Sequence, residues 1–241
     1  DGHLGRTVVV GFDERRVGHC AYETKQEDML AQQALAQDEG ILGGGLAFED
    51  GRIFATTGFA DVIALDAKNG REIWRKRLNG PIRAAPTVWA GRVFAVTTNN
   101  ELFALAASDG RELWTHSGLS EVAGLVGAAP PAVDGGVVVV PYSSGEVAAL
   151  RVENGRQVWI ESLTALRRSD AVTAISHIRG RPVIDRGIVY IVSNSNRTAA
   201  VDLRTGTRLW EVSVGGRNGV WVAGNFIYVL TRDAELICLT R

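Results

Sequence analysis

Cysteine and excess charge are both scarce in this chain of 241 residues. The two cysteines, Cys20 and Cys238, lie 218 positions apart. This spacing favours two isolated thiols, although a disulfide between the two ends stays open. A count of two cysteines is compatible with the cytosol and with the periplasm. The formal net charge of −1 creates no overall field that would attract nucleic acid or an anionic membrane surface, so neither is expected as a partner.

Long apolar runs are absent as well. No stretch approaches the roughly 20 apolar residues that a membrane helix needs. The chain opens with Asp1-Gly2-His3-Leu4 and lacks the basic and then apolar start of a signal peptide, so a targeting segment has been removed or was never included. Cys20 follows Val17-Gly18-His19, which is a poor match to a lipid-attachment motif. The residues themselves therefore predict no attachment to a membrane.

Signals of catalysis are weak throughout the chain. The Gly43–Gly45 run precedes a predicted strand and lacks the Lys-Ser/Thr of a phosphate-binding loop. Tyr142–Gly145 is a predicted turn between strands, not the strand-to-helix elbow of a nucleophilic serine. Asp66 and Asp202 share one repeated position, which suits a structural role in a turn. The histidines are scattered without metal-ligand spacing: His3, His19, His116 and His177. The sequence thus predicts no catalytic residue, no metal site and no cofactor.

What the chain does contain is an internal repeat. Each copy ends in a Trp that follows the first position by 28 residues, in the pairs Leu46 and Trp74, Pro86 and Trp114, Pro131 and Trp159, and Pro182 and Trp210. A Gly lies five residues after the first position: Gly51, Gly91, Gly136 and Gly187. A second Gly lies four residues before the Trp: Gly70, Gly110, Gly155 and Gly206. Three offsets that recur in four copies identify a repeat protein.

Each copy resolves into four short strand signals separated by turns. In the second copy they cover Ala85–Trp89, Gly91–Val96, Glu101–Leu105 and Arg111–Trp114. The Asn-Gly or Asp-Gly pair before the last strand is typical of a tight antiparallel hairpin. Four antiparallel strands in copies that start 40 to 51 residues apart predict an all-β fold, a β-propeller of four-stranded blades. We expect the repeated tryptophans to pack between neighbouring blades.

The repeats occupy residues 41–241, and the array reads as partial. A fifth copy starts at Gly219 and includes the strand Phe226–Leu230, but its Trp would fall at position 219 + 28 = 247, beyond Arg241. An open arc leaves sheet edges exposed, so we expect four to five blades of a longer propeller, truncated at its C-terminus. Residues 1–40 are an atypical segment, which can be read as one strand of an earlier blade followed by a connection.

All variation in length falls between a Trp and the next copy, where the gaps are 12, 17, 23 and 9 residues. These connections emerge on one face of a propeller, and loops on a rigid scaffold commonly carry binding residues. The longest are Thr115–Pro130 and Ile160–Arg181, for which a partner-binding face and solvated spacer loops are alternative interpretations. The candidate binding residues are apolar in the first loop and basic in the second: Leu119, Val122, Leu125 and Val126, then Arg167, Arg168, His177 and Arg179.

Residues Ala64–Trp74, with the sequence ALDAKNGREIW, resemble the tryptophan-docking repeat of quinoprotein-type propellers, and so do their three counterparts. From about Leu42 to Arg241 the chain resembles the BamB family of outer-membrane assembly factors, with further likeness in Gly43–Phe48, Val139–Glu146 and Gly180–Asp185. The resemblance implies an eight-bladed propeller, of which this chain holds roughly half. It also implies a periplasmic lipoprotein, attached to the membrane only through a lipid anchor that this chain lacks. The resemblance further implies that the protein binds the barrel-inserting subunit and assists insertion of outer-membrane proteins, without enzymatic activity. Unfolded outer-membrane proteins are further expected partners.

Two interblade loops make the contact in members of this family, and their contact residues differ here. A Leu-x-Leu-Arg-like segment maps on Ala123–Val126, where Leu125 is retained and Val126 stands in place of the Arg. In the second loop, the positions of an acidic pair in the family correspond to His177 and Arg179 of this chain. The resemblance therefore implies that the charge pattern of the contact is changed if the contact persists.

Two other functions stay open. Quinone-dependent dehydrogenases share the tryptophan repeat but use adjacent cysteines, a catalytic Asp and acidic calcium ligands, whereas this sequence has no Cys-Cys pair and no evident acidic cluster. A sensor or polymer-binding propeller fused to a further domain is the third interpretation, which the flanking sequence would test. No Trp is followed by Asp, which argues against a WD-type scaffold.

Overall fold

The computed structural model describes residues 44–119, 129–163, 178–216 and 218–241 of the protein. All regular elements in these ranges are β-strands, and they form five antiparallel sheets that we number as blades 1 to 5 in chain order. None of the described ranges contains a helix that is long and apolar enough to cross a membrane.

The first three blades are four-stranded sheets. Blade 1 consists of β1 (Gly45–Glu49), β2 (Arg52–Thr56), β3 (Asp61–Asp66) and β4 (Glu72–Arg77). Blade 2 consists of β5 (Thr87–Trp89), β6 (Arg92–Val96), β7 (Glu101–Ala106) and β8 (Glu112–Ser117). Blade 3 consists of β9 (Ala132–Asp134), β10 (Val137–Pro141), β11 (Glu146–Arg151) and β12 (Gln157–Ser162).

Blade 4 has four strands and blade 5 has three in the described ranges. Blade 4 consists of β13 (Val183–Asp185), β14 (Ile188–Ser193), β15 (Arg197–Asp202) and β16 (Arg208–Val212). Blade 5 consists of β17 (Trp221–Ala223), β18 (Phe226–Leu230) and β19 (Leu236–Thr240). The strands of each blade pair antiparallel in chain order, and the first strands of successive blades contact one another from blade 1 to blade 5. The prediction of an all-β propeller with four-stranded blades is confirmed.

Each inner sheet buries both of its faces against neighbouring blades. In blade 2, Val93 and Phe103 belong to the apolar layer shared with blade 1, whereas Phe94 and Leu102 belong to the layer shared with blade 3. Neighbouring residues of a strand point to opposite faces of the sheet. A strand that lies between two sheets therefore needs apolar residues at consecutive positions. The core of the described chain is a series of layers between blades.

The repeat tryptophans pack across these layers. Each indole contacts the repeat glycine of the following blade, in the pairs Trp74 and Gly110, Trp114 and Gly155, and Trp159 and Gly206. A Cβ on any of these glycines would come within 2.6 Å of the Trp side chain, and each glycine has a φ between 70° and 74°. Both requirements favour glycine over every other residue at this position. Trp210 is half-buried, and its ring lies 6.1 Å from that of Tyr190 in its own blade.

The first two strands of each blade are joined by a two-residue turn. In blade 1 the turn residues Asp50 and Gly51 have φ values of 49° and 73°. Two successive residues with positive φ form the turn that matches the right-handed twist of paired strands. The repeat glycine at this position therefore has a conformational role.

The Asn69-Gly70 pair lies in an antiparallel hairpin, as the sequence predicts, with a connection longer than two residues. β3 ends at Asp66 and β4 begins at Glu72, so five residues connect them. Gly70 alone has positive φ, and its N–H donates to the carbonyl oxygen of Asp66 at 2.8 Å. The Asn69 side chain accepts the N–H of Arg71 at 3.0 Å. Gly70 thus supplies the positive φ of this antiparallel hairpin, whereas Asn69 contributes a local hydrogen bond.

A β-bulge precedes the repeat tryptophan in each of blades 1 to 4. In blade 3, Ala149 pairs with Trp159 and Leu150 pairs with Gln157, so Val158 is the extra residue. The equivalent residues of the other blades are also aliphatic: Ile73, Leu113 and Leu209. A bulge in an outer strand disturbs the regular edge and discourages pairing with other chains.

Apolar side chains are exposed on the outward faces of the first and last described blades. Leu46 and Phe48 of β1 are 59% and 68% exposed, and Trp221 and Leu236 of blade 5 are each 68% exposed. The inner blades cover one another, whereas no described sheet covers these two faces. Exposed apolar area of this kind commonly marks a contact surface.

Candidate partner-binding surface

The interblade connections leave the blades at one end. Consecutive strands run in opposite directions, so the turn between the second and third strands lies at the same end as the interblade connection. We call this the loop end. The other two turns of each blade lie at the opposite end, which we call the hairpin end. The structure describes 115–119 and 129–130 of the first long connection, and 160–163 and 178–181 of the second.

The first long connection starts in a fixed position. The N–H of Gly118 donates to the carbonyl oxygen of Asn100 at 2.8 Å, and the N–H of Leu119 donates to the Glu146 carboxylate at 3.2 Å. The side-chain amide of Asn100 donates to the carbonyl oxygen of Leu119 at 2.7 Å. The Leu119 side chain is nevertheless 64% exposed. The backbone is therefore held in place while the apolar side chain faces solvent.

Asn100 links blades 2 and 3 at this point. It lies in the turn between β6 and β7 with a φ of 59°, and its residue is 4% exposed. Its Oδ1 accepts hydrogen bonds from both the N–H and the hydroxyl of Ser143 in blade 3, each at 2.9 Å. Glu146 of the same blade also accepts a hydrogen bond from the Ser144 hydroxyl at 3.1 Å. The start of the loop is thus fixed by side chains from two blades.

A pair of stacked rings supports the same segment. The hydroxyl of Tyr142 lies 2.8 Å from Nδ1 of His116, and the two ring planes are 15° apart. Burial lowers the pKa of His116 and raises the pKa of Tyr142. Both rings are therefore neutral at pH 7, and a hydrogen bond joins the phenol oxygen to Nδ1. Gly118 packs on this pair, where a Cβ would come within 2.6 Å of the Tyr142 ring.

The second long connection is anchored at both ends. The N–H of Leu163 donates to the carbonyl oxygen of Gly145 at 3.0 Å, and the Leu163 carbonyl oxygen accepts from the Ser195 hydroxyl at 3.1 Å. Ser195 is itself hydrogen-bonded to Ser193 at 2.6 Å. Leu163 and Ile178 are both buried in the layer between blades 3 and 4. The two ends of this connection are therefore packed into the same layer.

Two of the candidate binding residues lie in the described ranges. Leu119 is exposed at the loop end, and Arg179 is half-buried. The others lie outside the described residues: Val122, Leu125, Val126, Arg167, Arg168 and His177. Sequence reasoning missed Asn100 and Glu146, which position the loop. The sequence did contain a signal for Asn100. It stands at the turn position that Gly145 occupies in the next copy, and Asn tolerates positive φ while its side chain can also form hydrogen bonds.

The residues that the structure describes include no arrangement suited to metal binding or to a serine nucleophile. No group of three His, Cys, Asp or Glu side chains in the described ranges is placed to hold a metal ion. Tyr142–Gly145 joins β10 to β11 as a turn, and Ser143 donates its hydroxyl proton to an amide oxygen, which is not a general base. Cys238 is a free, exposed thiol, and Cys20 lies outside the described residues.

Four-stranded sheets in series, repeated interblade tryptophans and anchored interblade loops define a β-propeller of the quinoprotein-repeat class. A family model described as outer membrane protein assembly factor BamB matches residues 8–241, and the chain belongs to that family. The match begins at residue 8, so it includes most of the 1–40 segment in which the sequence alone shows no repeat.

Curated relatives are similar over most of this chain. The outer membrane protein assembly factor BamB of Escherichia coli strain K12 is 32% identical over 205 residues, which are 85% of this chain and 52% of the relative. The protein of the same name from Xanthomonas campestris pv. campestris is 36% identical over 188 residues, which are 78% of this chain and 46% of the relative. The chain therefore spans about half the length of the curated relatives it matches.

Solved structures share the fold. BamB from Moraxella catarrhalis superposes with a TM-score of 0.76 and 22% identity, over 82% of this chain and 61% of that one. The quinohemoprotein alcohol dehydrogenase of Comamonas testosteroni superposes with a TM-score of 0.61 and 15% identity, over 83% of this chain and 41% of that one. At these identities the likeness shows the fold alone.

Proposed function

We propose that this chain is part of a non-enzymatic scaffold of the outer-membrane β-barrel assembly machinery, in the bacterial periplasm at the outer membrane. Its relatives are named outer membrane protein assembly factors. The chain binds the barrel-inserting subunit through the connections 115–130 and 160–181, and assists the insertion of outer-membrane proteins.

The observation that carries this proposal is the anchored start of the first connection. Asn100 and Glu146 hold the backbone of Leu119 while its side chain is 64% exposed. A loop held in this way loses less conformational entropy when a partner binds, so more of the contact energy appears as affinity. The basic residues of the second connection would add attraction to an acidic patch on the partner.

The proposal extends to the whole protein. We infer a closed propeller of eight blades, with residues 1–40 contributing to an earlier blade and a lipid anchor outside this chain. Unfolded outer-membrane proteins are further partners. The exposed apolar residues on the outward faces of blades 1 and 5 support the closed arrangement, because neighbouring blades would cover them.

Capture of the purified barrel-inserting subunit by the full-length protein tests the binding role. Deletion of residues 119–127, bridged by a short Gly-Ser linker, is expected to abolish capture while the protein still unfolds cooperatively, at a lower free energy because the Leu119 hydrogen bonds are lost. Leu119→Asp should weaken capture, and Ile73→Asp is its matched control because Ile73 is also exposed, at 43%, on the outer strand of blade 1. Unchanged capture by a folded deletion variant would remove this loop from the binding face.

A quinone-dependent dehydrogenase is the second candidate function, since an enzyme of that kind shares the fold. Incubation of the full-length protein with the quinone and calcium, followed by gel filtration, tests it. We expect no absorbance of bound quinone in the protein peak. A stoichiometric signal would contradict the non-enzymatic proposal.

A further inference from the structure

A groove of about 660 Å³ lies between blades 3 and 4 at the hairpin end. Its lining combines guanidinium groups from three turns or strand ends with aliphatic side chains from two outer strands: Arg151, Arg186, Arg204, Val158 and Leu209. The volume is in the range of about 300–1,000 Å³ that is typical of ligand sites. The groove is at the opposite end of the blades from the interblade loops, so it is a separate surface from the one described above.

Two carboxylates at the groove are already engaged. Asp202 is the one acidic residue among those that line it, and it accepts hydrogen bonds from Arg204 N–H and from both the N–H and the hydroxyl of Thr205. Asp185, beside the groove, pairs with Arg241 and lies 4.0 Å from Nε of Arg186. These acids therefore stabilise their own turns and neighbours.

Two of the lining cations form no direct ion pair in the described ranges, although the charge of Arg204 contributes to lowering the pKa of Asp202, after the hydrogen bonds from Thr205. Within the described part of the chain, neither Arg151 nor Arg204 forms an ion pair. The carboxylates of the nearby outer strands are also occupied: Glu161 pairs with Arg208, and Glu211 pairs with Arg197 and Arg208. A guanidinium group forms its strongest contacts with a carboxylate through two parallel hydrogen bonds. The groove thus presents unused donors for a carboxylate.

Two apolar residues of the groove come from the β-bulges, and Val137, Ile188 and Leu203 complete its aliphatic lining. Val158 and Leu209 are the extra residues of the bulges in β12 and β16, and they are 37% and 50% exposed. A bulge can redirect a side chain away from the regular alternation of a strand. These two exposed aliphatic side chains can receive one or two side chains of a peptide.

The equivalent groove between blades 1 and 2 has a different character. Its volume is about 230 Å³, and it is lined by Glu49, Asp50 and Arg52. There Glu49 accepts the N–H of Gly91 at 3.2 Å, and Arg52 donates to the carbonyl oxygen of Ala107 at 2.8 Å. These polar groups are used between the blades. The repeat therefore does not require a large basic groove at this position.

Two of the arginines stand where the repeat has acidic residues in blade 1. Arg151 takes the position of Asp66, and Arg186 takes the position of Asp50. Arg186 has a φ of 49°, in a turn whose geometry favours Asn, Asp or Gly. Neither arginine is therefore explained by the needs of its own turn.

We propose that this groove binds an extended acidic peptide segment of a partner chain, with carboxylates on Arg151 and Arg204 and an aliphatic side chain between Val158 and Leu209. An extended peptide with alternating residues suits this arrangement, because successive side chains point to opposite sides. The site is independent of the interblade loops.

Fluorescence polarisation with full-length protein and a fluorescein-labelled peptide, acetyl-Leu-Glu-Val-Glu-Leu-Glu-amide, tests the proposal. The Kd is expected to rise by at least about tenfold in Arg151→Glu and in Arg204→Glu, since each loses a charge-assisted hydrogen bond and gains repulsion. Lys68→Glu is the matched control, because Lys68 occupies the position of Arg204 in the exposed turn of blade 1. That variant, and the deletion of residues 119–127, should bind the peptide as the wild type does.

Several outcomes would overturn the proposal. If a peptide with Lys in place of each Glu bound with the same Kd, the attraction would be nonspecific. The same would follow if Lys68→Glu weakened binding as much as the groove variants do. Absence of peptide binding together with Arg151-dependent binding to phosphatidylglycerol vesicles would assign the groove to lipid phosphate. Leu209→Asp should also weaken peptide binding in a protein with an unchanged unfolding transition, and unchanged affinity would remove the apolar contact from the site.

Discussion

The indole Nε1 of Trp74 in blade 1 donates a 3.0 Å hydrogen bond to the carbonyl oxygen of Ala107 in blade 2. The same bond recurs in the next two interblade layers, at 3.0 and 2.7 Å, from Trp114 to Val152 and from Trp159 to Leu203. One side chain therefore contributes apolar area to the layer and also satisfies its polar edge, which is the requirement for burying an indole.

Substitution of Trp159 separates these two contributions. Trp159→Ala removes the rings and the hydrogen bond, and we expect it to lower the free energy of unfolding by roughly 3–5 kcal/mol. Trp159→Phe keeps most of the apolar area and leaves the Leu203 carbonyl without its donor, so a loss of roughly 1–3 kcal/mol is expected. Denaturant unfolding followed by circular dichroism measures both. Trp89, which is 36% exposed, is the control, and an equal loss in Trp89→Ala would contradict a specific interblade role.

Gly155 and Gly136 separate backbone strain from interblade packing. Their φ values are 70° and 78°, but a Cβ on Gly155 would lie 2.6 Å from the Trp114 ring, whereas a Cβ on Gly136 would have no atom within 4 Å. Gly136→Ala should cost only the positive-φ penalty of about 1–2 kcal/mol. Gly155→Ala should cost about 1–3 kcal/mol more, because the ring must move. Similar unfolding free energies for the two variants would show that the layer adjusts freely.

The fold could be predicted because each repeated residue has its own physical requirement. Gly136 supplies a positive φ, Gly155 supplies a positive φ and room for an indole, and Trp159 fills the layer between blades. Each required residue recurs at the same offset in every complete copy, so the offsets can be read from the sequence. Four copies turn a weak local pattern into a firm assignment of the propeller.

The details of the surfaces could not be predicted in the same way. The Asn69-Gly70 pair has the composition of a two-residue hairpin, yet local hydrogen bonds make it part of a five-residue connection. Asn100 acts through Ser143, 43 positions away in the next blade. Contacts of this kind depend on how two neighbouring blades pack against each other. The sequence pattern of a single copy carries no information about that packing.

Tyr190 is expected to tolerate loss of its hydroxyl. The residue is 1% exposed, and its hydroxyl has no hydrogen-bond partner in the described part of the chain. Phe54 and Phe94 occupy the same repeat position in blades 1 and 2. Tyr190→Phe should therefore leave the free energy of unfolding unchanged or raise it by about 1 kcal/mol, because an unsatisfied buried group costs about 1–3 kcal/mol.

The matched substitution at Tyr142 should have the opposite sign. Its hydroxyl is hydrogen-bonded to His116 at 2.8 Å, so Tyr142→Phe is expected to lower the free energy of unfolding by about 1 kcal/mol. Denaturant unfolding of the two variants under the same conditions gives the comparison. A loss in Tyr190→Phe as large as that in Tyr142→Phe would show that the Tyr190 hydroxyl is hydrogen-bonded in solution.

His116 should make the stability of the loop end depend on pH. Burial lowers the pKa of His116 below the value of 6.5 that it has in the unfolded chain, so the unfolded state binds the proton more readily. The stability linked to this group is therefore present above pH 6.5 and is lost as the pH falls through the lower pKa of the folded state. Protonation also makes both ring nitrogens donors, so Nδ1 can then only donate to the Tyr142 hydroxyl oxygen.

Unfolding measured between about pH 7.5 and 5 should show this loss in the wild type and less of it in His116→Asn, which has no group that titrates in this range. Capture of the barrel-inserting subunit should weaken over the same interval, because Gly118 packs on the Tyr142 ring at the start of the first connection. Equal pH slopes for the wild type and His116→Asn would assign the dependence to other groups. A pH-dependent unfolding free energy with constant capture would mean that the ring pair stabilises the blades without positioning the loop.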